Sequence, residues 1–473
     1  MGGGLLQLTI KGQMDSYVST SPDISFYKFG YKKYTNFSME SINLSFDVNP
    51  VLSSSSLIST YNCKIGRYGD LLTNLYFCYT LPEIYSSDIY RFKWINNIGS
   101  LIIKKAIITV GNTIIDSIVG EWLVIWNELI LTNDYKNNYN KMTGNIDSVI
   151  NPSVKEPIIG IKNNKFYKLF YPSSTLNSST PSINSTNIRL PLNFWFCRNS
   201  ALALPLLQLQ NSDIYITIQI ENSENLYQVW SKDLNLYVSP IYYNQLYNDN
   251  INISTFILNN NLLPSIEANY VFLDTNERNS ILTTPTSELL VEQLEINNSV
   301  LFKSSANSTI SINLNLHKLV KEIIWTLKRD DYINFNENTN YTASIPENDT
   351  SDILNKANIV WNNANNRVDE KDAVFFNKIQ PYQHHSCIPK LGIYSYSFGL
   401  YPEKYFPTGC FNAASIITNL TLDINGNYNN DKINNLLNKI NKNPYNFGYI
   451  CNVYTKSYNV FSIIGGIGTM KYV

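Results

Sequence analysis

Charge is scarce in this 473-residue chain: Asp, Glu, Lys and Arg make up 15% of it, against about 25% in an average soluble domain. The 36 Lys and Arg offset the 37 Asp and Glu, which leaves no basic excess for gripping nucleic acid through its phosphates. Histidine is scarcer still, with only His317, His384 and His385. GxSxG, HExxH and Walker-loop patterns are all missing. His384, His385 and Cys387 stand close along the chain, but adjacent strand residues point to opposite faces and no second ligand cluster accompanies them. His317 falls on the polar phase of its strand and reads as solvated. Residues 465–469 (GGIGT) imitate a dinucleotide loop, yet Lys471 replaces its last glycine and two further residues leave no room for the phosphate-binding helix. Nothing selects a pair of carboxylates for glycoside chemistry. No catalytic, cofactor-binding or metal-binding residue is therefore expected, and no enzyme.

Long apolar runs are also missing. Residues 101–115 form the most apolar stretch, but Lys104 and Lys105 break it well short of the ~18 clean residues of a membrane span. The opening MGGGLLQLTIKGQ has neither a basic region nor a long apolar core, so no export leader is expected. Gly2 is present, but Leu6 stands where N-myristoylation wants Ser or Thr. The six cysteines (Cys63, Cys78, Cys197, Cys387, Cys410 and Cys451) lack CxxC spacing and read as reduced, buried thiols.

What the chain does have is asparagine, 67 residues of it, beside 34 Tyr. Codon usage in an AT-rich genome suffices to explain this. The ten Asn-x-Ser/Thr sequons match what 67 Asn and 75 Ser or Thr produce by chance, so they do not argue for glycans. With 44% hydrophobic and 13% aromatic residues, the chain can bury substantial cores. At about 100–200 residues per domain it should hold more than one.

Strict alternation dominates. Ile214, Ile216, Ile218 and Ile220 take one face of a strand while Tyr215, Thr217, Gln219 and Glu221 take the other. The same period recurs over residues 42–48, 310–316 and 420–424, the mark of half-buried antiparallel strands. Helical spacing is confined to Trp122 and Trp126, on one face of a short helix, and to Ile433, Leu436, Leu437 and Ile440. Both read as packing stripes. There is no βαβ alternation. Two polar stretches, 133–187 and 329–372, read as surface excursions, and one in each half hints at two similar domains.

Eight segments then resemble, in order, the major capsid proteins of nucleocytoplasmic large DNA viruses: 1–42 with NFSMESI at its end, 67–82, 102–130, 191–220 with its FW…ALPL pattern, 270–294, 316–325, 380–408 and 458–473. The chain departs from the family at Leu316-His317-Lys318, where Asn-His-Pro is usual, at Thr408-Gly409-Cys410 in place of Ser-Gly-Thr, and in an insertion near 425–447. The resemblance implies an all-β fold of two consecutive eight-stranded antiparallel jelly rolls, with a few short helices in loops. Boundaries are expected at 1–23 for an N-terminal arm, 24–222 for the first jelly roll, 223–265 for a connecting segment and 266–473 for the second.

The resemblance also implies a function: a homotrimeric, pseudo-hexagonal capsomer that tiles the icosahedral shell of a large double-stranded DNA virus. Neighbouring capsomers and minor capsid and penton proteins would be its partners, in a virion assembled in the host cytoplasm. An internal membrane would separate shell from genome, so no direct nucleic-acid contact and no cofactor are implied. On this reading the polar excursions face outward and the arm inward. Two alternatives stand beside it: a minor capsid or penton component of the same fold, and a carbohydrate-active or carbohydrate-binding β-sandwich.

Overall fold

The computed structural model describes residues 3–10, 12–22, 26, 33–48, 50–52, 59–157, 167–348, 351–362, 365–424, 435, 437–438 and 447–472, apart from 304–307. Eight principal strands build the first sandwich: β1 (Phe37–Ser45), β2 (Ser59–Ile65), β3 (Leu71–Leu81), β4 (Ile103–Val110), β5 (Thr113–Ile118), β6 (Thr186–Pro191), β7 (Ile214–Ile220) and β8 (Ser265–Leu273). They form two antiparallel sheets, β1-β8-β3-β6 and β2-β7-β4-β5. Eight more follow: β9 (Thr286–Lys303), β10 (Ser308–Leu314), β11 (Leu319–Arg329), β12 (Leu354–Trp361), β13 (Asn365–Asp372), β14 (Ile393–Ser397), β15 (Thr418–Ile424) and β16 (Gly448–Ile464). Their sheets, β9-β16-β11-β14 and β10-β15-β12-β13, repeat the first order strand for strand. Even the short strand before the seventh is repeated: Leu204–Pro205 pairs with the start of β3, and Phe411–Asn412 with the start of β11. This is a jelly roll made twice.

Alternation explains why these segments pair as they do. In β7 the isoleucines are buried and the residues between them half-exposed, and β15 follows the same rhythm. A one-residue slip would turn each apolar set to water, so register is fixed by burial. The two sandwiches have separate cores, one around Phe77, Trp94, Ile216 and Trp195, the other around Trp325, Ile359, Leu420 and Tyr449.

The pairing moves the expected boundary. Ser265–Leu273 lies hydrogen-bonded between β1 and β3, with Ile266, Ala268 and Tyr270 buried in the first core. It closes the first sandwich instead of opening a second one at 266. Residues 223–265 are likewise more than a connector, because Tyr227–Ser231 pairs with both Phe92–Trp94 and Leu236–Val238. The second sandwich begins after the helix Thr275–Thr283, which buries no residue. Ahead of β1, helices α1 (Gly3–Thr9) and α2 (Gln13–Ser19) also bury nothing.

The long connections share one end of each sandwich. Pairing of Leu81 with Thr186, Ser59 with Ile220 and Ser45 with Ser265 places connections 82–102, 119–185 and 221–264 at one end of the first. In the second, 330–353 and 373–392 leave the corresponding end. These ends adjoin, since the Asn336 side chain donates to the carbonyls of Glu224 and Tyr227, each at 2.7 Å. At the opposite ends Asn211 donates to the carbonyl of Gly465 (2.9 Å). The sandwiches therefore stand side by side in the same sense.

The two polar excursions are not equivalent. The first lies in the connection between β5 and β6, while the second spans the β11–β12 connection and both strands β12 and β13. Nor is the second a surface feature throughout. Phe335, Asn336, Asn340 and Tyr341 are buried, because asparagine amides there satisfy backbone carbonyls of both sandwiches. The helix expected over Ile433–Ile440 lies largely outside the described residues.

Candidate assembly surfaces

The residues singled out for chemistry do not converge. His317 is exposed. His384 Nδ1 lies 3.1 Å from the carbonyl of Leu400, His385 is turned the other way, and the Cys387 thiol donates to the carbonyl of Leu131 (3.0 Å). Among the described residues no grouping of His, Cys, Asp and Glu could hold a metal ion. Gly465 and Gly466, at φ of 58° and 82°, make the tight turn between β16 and Ile467–Met470, which is why that stretch is glycine-rich. The cysteines form no disulfide, but only Cys63 and Cys451 are buried and Cys410 is exposed. Burial pushes the Cys63 thiol up to about 12, so it is inert at neutral pH.

The built feature is the seam between the sandwiches. Helix α3 (Gly120–Ile130) follows β5 directly. Leu123 and Val124 face its own core, whereas Trp122, Ile125, Trp126 and Leu129 pack on Leu294, Ile324, Ile393 and Tyr454 of the second sandwich. The two indoles stack at 5.5 Å. Sheet β9-β16-β11-β14 is consequently covered on both faces, and β11 is buried from Val320 to Arg329.

Charges on that covered face are paired inside it. Glu292 receives Lys321, Lys456 (3.2 Å) and Arg198 (3.2 Å), the last from the first sandwich. Burial alone would raise the Glu292 carboxyl, but these three cations outweigh it and hold it below its ordinary range. Burial pulls the Lys456 ammonium down to about 8; it also donates to the carbonyl of Pro402 (3.0 Å) and sits 3.8 Å over the Trp126 ring. His385 lies between Glu322 and Glu403, its side chain 1% exposed. Burial would lower its pKa, yet the two carboxylates raise it to about 9, so the imidazole is a cation at neutral pH. Lys328 meets Glu121 of α3 at 2.9 Å, and Tyr341 donates to the same carboxylate.

Sequence reasoning missed this network, because a charge in an alternating strand reads as solvated. The signal was Ile323-Ile324-Trp325, apolar on both phases, which marks a strand with two covered faces. A cleft of about 460 Å³ between the sandwiches is lined by Lys104, Glu121, Glu221, Lys328 and several asparagines. Its acids and bases neutralise one another, Lys104 with Glu221 and Lys328 with Glu121.

Apolar side chains also remain on the outside. Met14 and Tyr17 of α2 are exposed, as are Phe37 and Met39 of β1. So are Ile379 and Tyr382, on the helical segment made of a π-turn (Phe375–Ile379) and α-helix (Gln380–His384), and Tyr401, Tyr405 and Phe406 beyond β14. Such surfaces fit a protein that packs against other chains.

Comparison with known proteins agrees. The family model described as major capsid protein N-terminus matches residues 25–274, and the one for large eukaryotic DNA virus major capsid protein matches 277–469. The major capsid protein of Phaeocystis pouchetii virus is 28% identical over the whole of both chains. The probable capsid protein 4 of Acanthamoeba polyphaga mimivirus is 26% identical over 100% of this chain and 99% of that one. Among solved structures, the PBCV-1 virus capsid superposes with a TM-score of 0.68 at 22% identity, covering 95% of this chain and 100% of that one. The Faustovirus major capsid protein gives 0.66 at 12% identity, covering 95% and 94%. These relatives and fold neighbours are shell proteins, not enzymes. With its doubled jelly roll and matches along nearly its whole length, the chain belongs to the major capsid proteins of large eukaryotic DNA viruses.

Proposed function

We propose that three copies of this chain close into a pseudo-hexagonal capsomer, the repeated tile of an icosahedral shell. One observation carries the reading: two sandwiches of identical strand order stand side by side in the same sense. Six such lobes from three chains approximate sixfold surroundings, which lets one block pack against neighbours on all sides. A formal net charge of −1 suits dense packing of identical blocks.

The sandwich ends differ, which gives the tile two sides. We assign the outside to the end with the long connections, including α4 (Asn133–Met142), which buries no residue. The inner side then holds the end where β1 begins and from which α1 and α2 extend. There the arm, divided from the first sandwich at about residue 23, would meet minor capsid proteins, with penton proteins at the vertices and a membrane between shell and genome. The second sandwich, on the pairing described, starts after Thr283. Assembly in the host cytoplasm completes the proposal.

Copy number tests it. In purified particles this chain should be the most abundant shell protein by quantitative mass spectrometry; a few copies per particle would make it a minor or penton component. Deleting residues 1–23 should leave capsomers intact and impair particle assembly, and loss of folding would contradict the assignment of the arm.

A further inference from the structure

Among the described residues the doubled fold leaves two surfaces uncovered, and they are the two halves of a contact the chain already makes once. Inside the chain, the helix that follows the fifth strand of the first sandwich, α3, lies on the outer face of sheet β9-β16-β11-β14. In the second sandwich the corresponding helix is the Phe375–Ile379 and Gln380–His384 segment, which follows β13, again the fifth strand and again the edge of its sheet. Both helices bury one side in their own sandwich, α3 through Leu123 and Val124 and the later one through Phe376. On the other side α3 has Trp126 and Leu129 against a sheet, whereas the later helix leaves Ile379 43% and Tyr382 79% exposed.

The sheet that corresponds to the covered one is β1-β8-β3-β6. Its inward residues Leu75, Phe77, Ile266 and Ile188 are buried, but its outward residues Met39, Thr73, Tyr76, Glu267 and Arg189 are exposed or half-exposed. In the equivalent positions β11 is buried on both faces. Among the described residues, one chain thus carries a helix with no sheet to cover and a sheet with no helix over it.

We infer that these two surfaces meet between copies: the 375–384 helix of one chain lies on the outward face of sheet β1-β8-β3-β6 of the next, as α3 lies on the second sandwich within the chain. Such a contact is heterologous, each copy giving one surface and receiving the other, so it forms a ring if the rotation closes. The inference rests on the trimer reading and names the surfaces that build it.

Two full-length variants test it, one with the helix spoiled (Ile379→Glu with Tyr382→Glu) and one with the sheet face spoiled (Met39→Glu with Tyr76→Glu). Light scattering on the wild type should give three times 54.1 kDa, and each variant alone one chain mass with an unchanged circular dichroism spectrum. Mixed one to one, the variants should form a species of two chains and stop there. One intact helix and one intact sheet face remain to meet, and the other two are both spoiled. A wild type that is monomeric would overturn the trimer reading itself. Variants that stay at three chain masses, or folded monomeric variants that fail to pair on mixing, would overturn the assignment of these surfaces and leave the trimer standing. If the sheet-face variant stays trimeric but a chain lacking residues 1–33 does not, the arm makes the contact and the inference fails.

Discussion

His385 is the residue whose environment departs furthest from what its neighbours in sequence suggest. Its imidazole is held between Glu322 and Glu403 and raised from 6.5 to about 9, burial being outweighed by the two carboxylates. The unfolded chain releases this proton near 6.5, so the pair's contribution is complete below that pH and is lost as pH rises through 9. Lys456 works in the opposite direction: held down to about 8 by burial, it favours the folded state progressively between pH 8 and 10.5. The melting temperature should therefore fall mainly between pH 6.5 and 8 and flatten above. His385→Gln should remove most of that slope, as differential scanning fluorimetry across the range would show; an unchanged slope would mean the imidazole is not the titrating group. Glu292→Gln leaves Lys321 and Lys456 buried without their counter-charge, so a loss of about 3–5 kcal/mol is expected in denaturant titration.

At the scale of elements, the strands were legible in the sequence and their partners were not. The isoleucines of β7 announce a half-buried strand, and Trp122 and Trp126 announce a helix with one apolar face. Which surface that face would cover could not be read, because it is set by strands some 170 to 330 residues further on, Leu294 and Tyr454 among them. The resemblance sets a boundary at 266, and only pairing with β1 and β3 shows which sandwich holds β8. Asparagine was read as composition, yet Asn336, at φ 50°, caps two carbonyls across the seam. Asn336→Ala should leave both carbonyls unsatisfied and cost about 2–4 kcal/mol. Trp126→Ala, which removes an indole packed on Trp122 and under Lys456, should cost about 3–5 kcal/mol. Both losses are measurable by chemical denaturation, and values under 1 kcal/mol would show that the seam contributes little to stability.

For the whole molecule, the repetition of one strand order in two sandwiches is what the proposed tile rests on. The sequence carried no visible internal repeat, because a jelly roll demands alternation and turns at certain places but few particular residues. The hint of duplication drawn from the two polar excursions rested on connections that do not correspond. Family resemblance was legible because short segments keep their order along the chain, from 25 to 469 in the family matches. The claim that matters most is that three chains make one six-lobed block. Native mass by light scattering, followed by negative-stain imaging of the same sample, tests it most directly. The account predicts a stable species of three times 54.1 kDa with a hexagonal outline. A clean monomer, or a closed oligomer without six lobes, would contradict it.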